Sequence, residues 1–436
     1  MKRTALDELI KWKSRSNRKP LILRGARQVG KTWLMKEFAR QYYGNKYVYV
    51  NFEDESILQN IFADNFNIDR ILKVISLQTG VQIEDDTLII FDEIQAAHRG
   101  VMSLKYFYEK APQLQIIAAG SLLGINMHEG DSFPVGKVDF IDLYPMTFVE
   151  YLMARGEGKL ANSVIDCDME VLQYVSAKLE QYLREYYYVG GMPEVVGDFV
   201  NNLNYSEARR LQKNILATYA ADFSKHAPYD QLPLINIVWN SVASQLSKEN
   251  KKFIYGMLKH GARAAQFEKA IQWLCEAGLV AKVNRINSGE IPLAGFADFS
   301  AFKLFLLDVG LLGAMCNLQA STLINGNELF LTFKGALTEQ YAYTQMRLSN
   351  KNIYYWSASN STGEIDFMIE ASGKVVPVEV KAEDNVKAKS LRLFVQRYPG
   401  MKGVRFSMMS YRDQDWMVNV PLYCCGSYIA RLCQGE

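Results

Sequence analysis

Gly25-Ala26-Arg27-Gln28-Val29-Gly30-Lys31-Thr32 is the stretch that decides the fold. It fits the pattern G-x-x-x-x-G-K-[ST] at every fixed position, and its context matters as much as its letters. An apolar run, Leu21-Ile22-Leu23, precedes it. Residues 32–43 follow, with Leu34, Met35, Phe38 and Ala39 at helical spacing. A strand that turns through glycines into a helix points backbone N–H groups, and the positive end of the helix, at one place. That is a cradle for phosphate oxygens. Lys31 would bridge the β and γ phosphates of a nucleotide and Thr32 would ligate Mg²⁺. Residues 25–33, Trp33 included, form the expected nucleotide-binding segment.

Working outward, further apolar runs alternate with helical patterns: Tyr47-Val48-Tyr49-Val50-Asn51-Phe52, Leu88-Ile89-Ile90-Phe91, Ile116-Ile117-Ala118-Ala119 and Phe140-Ile141-Asp142-Leu143. Continuous apolar strands separated by helices predict a parallel sheet covered on both faces, hence an α/β fold of the P-loop class. The third run ends in Asp92-Glu93. A carboxylate there can reach the magnesium shell, the role expected of Asp92, while Glu93 would orient and polarise the attacking water. Ser121, just after the fourth strand, stands where a polar side chain could sense the γ-phosphate, or where it could simply cap a helix.

The 436 residues suggest two to four domains at roughly 100–200 residues each. Hydrophobic residues make up 49% and charged ones 22%, enough to bury a core, and the net charge of +2 neither demands nor excludes nucleic acid. Six scattered cysteines and four histidines show no zinc-ligand spacing, so buried reduced thiols are expected. The first ten residues lack the apolar core of a signal peptide, and no run of about 18 apolar residues could span a bilayer. A cytoplasmic protein without membrane contact is the expectation.

The expected division is a P-loop core over 1–150, a helical lid over 151–230, a winged-helix-like domain over 231–325 and a last α/β domain over 326–436. The lid is broken by Gly190-Gly191-Met192-Pro193. In the third segment an amphipathic helix through Phe267–Cys275 leads into a strand over 279–286 and a turn at Asn287-Ser288-Gly289.

The last segment carries a second cluster. In 363–381, Gly-Glu-Ile-Asp-Phe-Met-Ile-Glu-Ala-Ser-Gly-Lys-Val-Val-Pro-Val-Glu-Val-Lys, two alternating strands flank Ser372-Gly373, a two-residue hairpin signal. Pairing Ala371 with Lys374 sets Asp366 opposite Glu379 and Glu364 opposite Lys381, with Cβ atoms ~4.5–5.5 Å apart. Glu379 and Lys381 share a face. Opposed carboxylates repel unless a cation sits between them, and a divalent metal is the obvious one. A charged, solvated hairpin face is the plainer alternative.

The motifs from Leu23 to Thr32, Phe91-Asp92-Glu93-Ile94-Gln95, Gly120-Ser121, Leu143-Tyr144-Pro145-Met146-Thr147-Phe148 and Gly190-Gly191-Met192-Pro193-Glu194 together resemble a large prokaryotic family. Its members join an AAA-type ATPase core to a C-terminal domain of uncharacterised function. The chain is also similar to signalling ATPases whose Gly-x-Pro motif sets a proline against adenine. That resemblance implies contacts from Gly191 and Pro193 to the base; a helix-breaking turn is the alternative. Where such relatives commonly carry an arginine, this sequence has Lys137, which implies slow hydrolysis and a switch-like use of ATP. The Asp366…Glu379-x-Lys381 pattern looks like the core of the PD-(D/E)xK nuclease superfamily, in which a glutamate on the preceding helix, here Glu339, completes the site.

Two functional readings follow. One is an ATP-regulated enzyme of nucleic acid, with DNA and a second copy of the chain as partners and basic segments at 248–252 and 387–392 as contact candidates. The other is a signalling or assembly switch whose last domain recognises a protein.

Overall fold

Leu88 to Asp92 illustrates why the first unit folds as it does: every residue of this strand is buried, because helices cover both faces of its sheet. In this computed structural model, residues 2–120, 132–248, 251–325, 331–358, 363–382 and 388–435 are described. They fall into two compact units, 2–144 with 276–278, and 145–275 with 279–435.

The first unit holds β1 (Leu21–Arg24), β2 (Tyr47–Asn51), β3 (Leu88–Asp92), β4 (Gln115–Ala119) and β5 (Asp139–Asp142). All pairings are parallel and the order is β2-β3-β4-β1-β5. This is the parallel α/β sheet expected from the sequence. Its main core is largely aliphatic and holds the fully buried rings of Phe52, Phe62, Phe91 and Phe107, with the Phe52 and Phe91 rings 5.5 Å apart. The carboxyl ends of β1 and β3 lie along one edge, where ligands of open parallel sheets bind. That edge carries the glycine-rich loop and Asp92-Glu93.

In the second unit, helices over 148–246 precede a mixed sheet of eight strands. These are β6 (Val280–Ile286), β7 (Ala297–Leu306), β8 (Tyr354–Ser357), β9 (Glu364–Ala371), β10 (Lys374–Val380), β11 (Gly403–Ser407), β12 (Arg412–Asp413) and β13 (Met417–Pro421). Their order is β12-β13-β11-β10-β9-β8-β6-β7. The helices Leu232–Leu246 and Ala264–Glu276 and the β6–β7 hairpin appear in the order expected of a winged helix. The hairpin, however, is not a sheet of its own. A hairpin leaves its outer backbone edges unpaired, and β8 takes the open edge of β6, with Arg285 opposite Tyr355 and Ile286 opposite Trp356. One sheet therefore runs across the expected 325/326 boundary. The return from β6 is also longer than a tight turn at 287–289, passing through the short helix Leu293–Phe296.

The β9–β10 hairpin keeps the expected register over five pairs, short of the expected Asp366–Glu379 and Glu364–Lys381 oppositions. Ala371 pairs with Lys374, and the ladder runs to Phe367 opposite Val378. Ser372 and Gly373 both have positive φ, +47° and +74°, as the two-residue primed turn requires.

Candidate functional site

The glycine-rich loop is shaped by positions that tolerate no side chain. A Cβ on Gly25, whose φ is +154°, would stand 2.3 Å from the Leu143 carbonyl oxygen, and Gly30 turns the chain into the helix Lys31–Tyr42 at φ +93°. The loop is also braced from outside. Arg3, buried at 4% exposure, donates from Nη1 to the Val29 carbonyl (2.9 Å) and from Nη2 to the Tyr144 carbonyl (2.6 Å).

Lys31 is buried, and its Nζ donates to the carbonyls of Gly25 (2.9 Å) and Ala26 (2.8 Å). Burial pushes its ammonium down to about 8, against the opposing pull of Glu93 and Asp92. An anion at the loop would reverse that desolvation penalty. Thr32 donates from Oγ1 to Asp92 Oδ2 at 2.7 Å, and the Tyr49 hydroxyl donates to the same oxygen at 2.8 Å. Burial and the neighbouring Asp92 hold the Tyr49 phenol well above its ordinary pKa. Glu93 sits at φ +48°, which turns it out of the strand, and Gln95 Nε2 holds its Oε2 at 2.6 Å.

Lys31, Thr32, Asp92 and Glu93 are thus brought together as expected. Trp33, on the same first helical turn, is 39% exposed. Ser121 lies outside the described residues. Gly191 and Pro193 belong to the second unit. There the Gly191 N–H donates to the buried Asp308 carboxylate at 2.6 Å, a Cβ on Gly191 would clash with the Met146 carbonyl oxygen at 2.0 Å, and Pro193 opens the helix Pro193–Asn202. Lys137 pairs with Glu109 at 3.1 Å. Arg24 pairs with Asp142 at 2.7 Å, and Arg99 donates to the Ala63 carbonyl while lying over the Phe66 ring.

The second cluster lies in the second unit. The β9–β10 ladder ends at Phe367–Val378. One step further the Asp366 side chain takes over, its Oδ2 accepting the Val380 N–H at 2.8 Å. Glu379, 5% exposed, accepts from Lys381 Nζ at 2.6 Å, while its other oxygen, Oε2, is buried with no hydrogen-bond partner. Glu339, on the helix Leu331–Met346, pairs with Lys251 and lies 3.6 Å from Lys303, which also pairs with Glu364. Desolvation, with the like charges of Glu339 and Glu379, raises the Asp366 carboxyl to about 8. Burial pushes Glu339 up, but Lys251 and Lys303 outweigh it and hold that carboxyl down, at about 2.

Sequence reasoning joins Glu339, Asp366, Glu379 and Lys381 and misses Lys251 and Lys303. The correction has a physical cause: the expected cation between the carboxylates is met by lysines, and Lys251, assigned to a basic contact segment, points inward at Glu339. Among the described residues, no group of three or more His, Cys, Asp and Glu side chains could hold a metal ion. The signal for Lys303 was present in Ala301-Phe302-Lys303-Leu304-Phe305-Leu306, where a lone charge interrupts an apolar strand. Arg3 and Tyr49 left no comparable trace.

Residues 17–152 match the family described as AAA domain, while residues 180–322 and 334–425 match two domains of unknown function, DUF8612 and DUF4143. An uncharacterized protein of Methanocaldococcus jannaschii is 21% identical over 412 residues, covering 91% of this chain and 82% of that protein. Among solved structures, a Walker-type ATPase of Pyrococcus abyssi is 12% identical, covering 71% of this chain and 94% of that one, with a TM-score of 0.43. The Thermotoga maritima RuvB Holliday junction branch migration motor is 14% identical, covering 65% and 90%, with a TM-score of 0.30. Among the described residues, no helix is long and apolar enough to cross a membrane.

Proposed function

We propose that this AAA-type P-loop ATPase hydrolyses Mg-ATP and uses the nucleotide cycle to control its C-terminal nuclease-like domain. The observation that carries the first half is the convergence of Lys31, the Thr32–Asp92 hydrogen bond at 2.7 Å and Glu93 at one edge of the parallel sheet. The residues fit the ligand: the loop is shaped by glycines, and a buried lysine is bonded to backbone carbonyls. Thr32 and Asp92 would hold Mg²⁺, which supplies charge neutralisation for the phosphates and asks for only one or two protein oxygens. Lys31 binds and neutralises phosphate oxygens. Glu93, held by Gln95, orients water and accepts its proton. Gly191 and Pro193 are the proposed contacts to adenine, and Ser121 the proposed sensor of the γ-phosphate. The test is phosphate release by the full chain, comparing wild type with Glu93→Gln while nucleotide binding is followed separately.

For the C-terminal domain, the carboxylate–lysine pattern on β9 and β10 supports a nuclease-like, DNA-binding role, with a second copy of the chain as a further partner. DNA affinity should then fall steeply between ~50 and 200 mM salt. One observation favours a second reading, a cytoplasmic switch whose last domain no longer cuts and instead binds a protein: Glu339, Glu364 and Glu379 are paired to lysines. DNA cleavage with Mg²⁺ or Mn²⁺ that disappears in Lys381→Ala supports the first reading, and its complete absence from wild type supports the second.

A further inference from the structure

Lys303 is 0% exposed and stands in the apolar half of β7. A charged ammonium loses its hydration there, and such burial is tolerated only against carboxylates of good geometry. Lys303 finds them in Glu364 and Glu339, and it lies over the Tyr355 ring, 4.9 Å from the centroid. Lys251 approaches Glu339 as well. Lys381 covers Glu379, and Arg405, paired in register with Glu379 from β11, adds a fourth cation while bonding Asn419. Four cations, Lys251, Lys303, Lys381 and Arg405, thus face the carboxylates of Glu339, Glu364 and Glu379, together with Asp366, whose carboxyl desolvation and the neighbouring Glu339 and Glu379 push toward its protonated form.

A divalent cation entering this set would face a cluster without net negative charge, with the ammonium groups of buried Lys303 and part-buried Lys251 already beside Glu339. As placed, the residues do not fit a metal. We propose that Lys303, assisted by Lys251, is a resident cation of the nuclease-like domain, occupying the charge role of a divalent metal and excluding it from the Glu339–Asp366–Glu379 carboxylates. The inference rests on reading the β9–β10 hairpin as nuclease-like. The lysines come from the segment before the helix of Glu339, so the latch is built from outside the hairpin that carries the acidic pattern. The domain is latent while Lys303 stays seated, and the orphaned Oε2 of Glu379 is the place where a ligand atom would gain most.

The experiment is a Mn²⁺ titration of nucleotide-free full-length protein, reading free Mn²⁺ by electron paramagnetic resonance. Wild type, Lys303→Met, Lys303→Arg and the double variant Lys303→Met/Glu379→Gln are compared, with thermal melts to confirm folding. Loss of the resident charge should tighten Mn²⁺ binding at least about tenfold in Lys303→Met. Lys303→Arg should behave as wild type, and Glu379→Gln should erase the gain. Should Lys303→Met fail to fold, Lys251→Met reads the same gain on a residue nearer the surface. Wild type that already binds Mn²⁺ through Glu379, or neutral variants that gain nothing, would overturn the proposal. Because binding and not cleavage is measured, a variant that takes up Mn²⁺ yet cuts no DNA sinks the nuclease reading alone.

Discussion

The two lysine-bearing sites of this chain solve opposite problems. At the glycine-rich loop, Lys31 is buried against backbone carbonyls, and its ammonium is held down at about 8 by desolvation. At the C-terminal cluster, Lys303 is buried even more completely, yet the carboxylates of Glu364 and Glu339 raise its pKa against that desolvation. The first site carries an electrostatic cost that an incoming anion relieves, whereas the second has relieved it internally. A lysine among functional residues is therefore not informative by itself. What its ammonium already touches decides whether the site is open to a ligand or closed by its own charges.

Breaking the first site should have the larger consequences. Lys31→Ala should abolish nucleotide-dependent phosphate release, by about 10²-fold or more, the scale for removing one preorganised donor from a charged transition state. Glu93→Gln should lose on the order of 10²–10⁴ in turnover while still binding nucleotide, separating chemistry from binding in a way Lys31→Ala does not. At the second site the expected effect is on stability. Glu339→Gln leaves Lys303 and Lys251 facing one another without their shared counter-charge, and removing one partner of a buried pair costs about 3–5 kcal/mol. A chemical-denaturation midpoint reads it.

A subtler contrast concerns pH. Asp366 has its carboxyl raised to about 8, while an unfolded aspartate titrates near about 4. Between those values the folded unit binds more protons than the unfolded chain. The contribution of Asp366 is therefore fully present below about pH 4 and is lost as pH rises toward about 8. Asp366→Asn should flatten this part of the stability profile. The smallest effect is expected at Lys137, whose half-exposed pair with Glu109 is worth about 0.5 kcal/mol. Lys137→Ala should leave both the melting temperature and nucleotide turnover nearly unchanged.

The difference between the sites also explains how much of each is legible in the sequence. The nucleotide site is local: Gly25 to Thr32 are contiguous, and Asp92-Glu93 ends a strand whose apolar run marks it as buried. Strand, turn and helix each leave a pattern, so the sheet and the placement of these side chains follow. The β9–β10 register was equally legible, because Ser372-Gly373 fixes the turn and side chains alternate with period two. Long-range partners were not. Nothing in Lys2-Arg3 shows that Arg3 reaches Val29 and Tyr144, and Tyr49 looks like any strand aromatic until it meets Asp92. The continuation of β6 into β8 was hidden for the same reason, since an open strand edge does not encode which distant segment pairs with it.

Counting Mn²⁺ bound per chain, with and without a non-hydrolysable ATP analogue, tests the contrast most directly. One tightly bound Mn²⁺ is expected, appearing only with the nucleotide and disappearing in a Thr32→Ala/Asp92→Asn variant. A Mn²⁺ held equally well without nucleotide, and lost in Glu379→Gln, would contradict it.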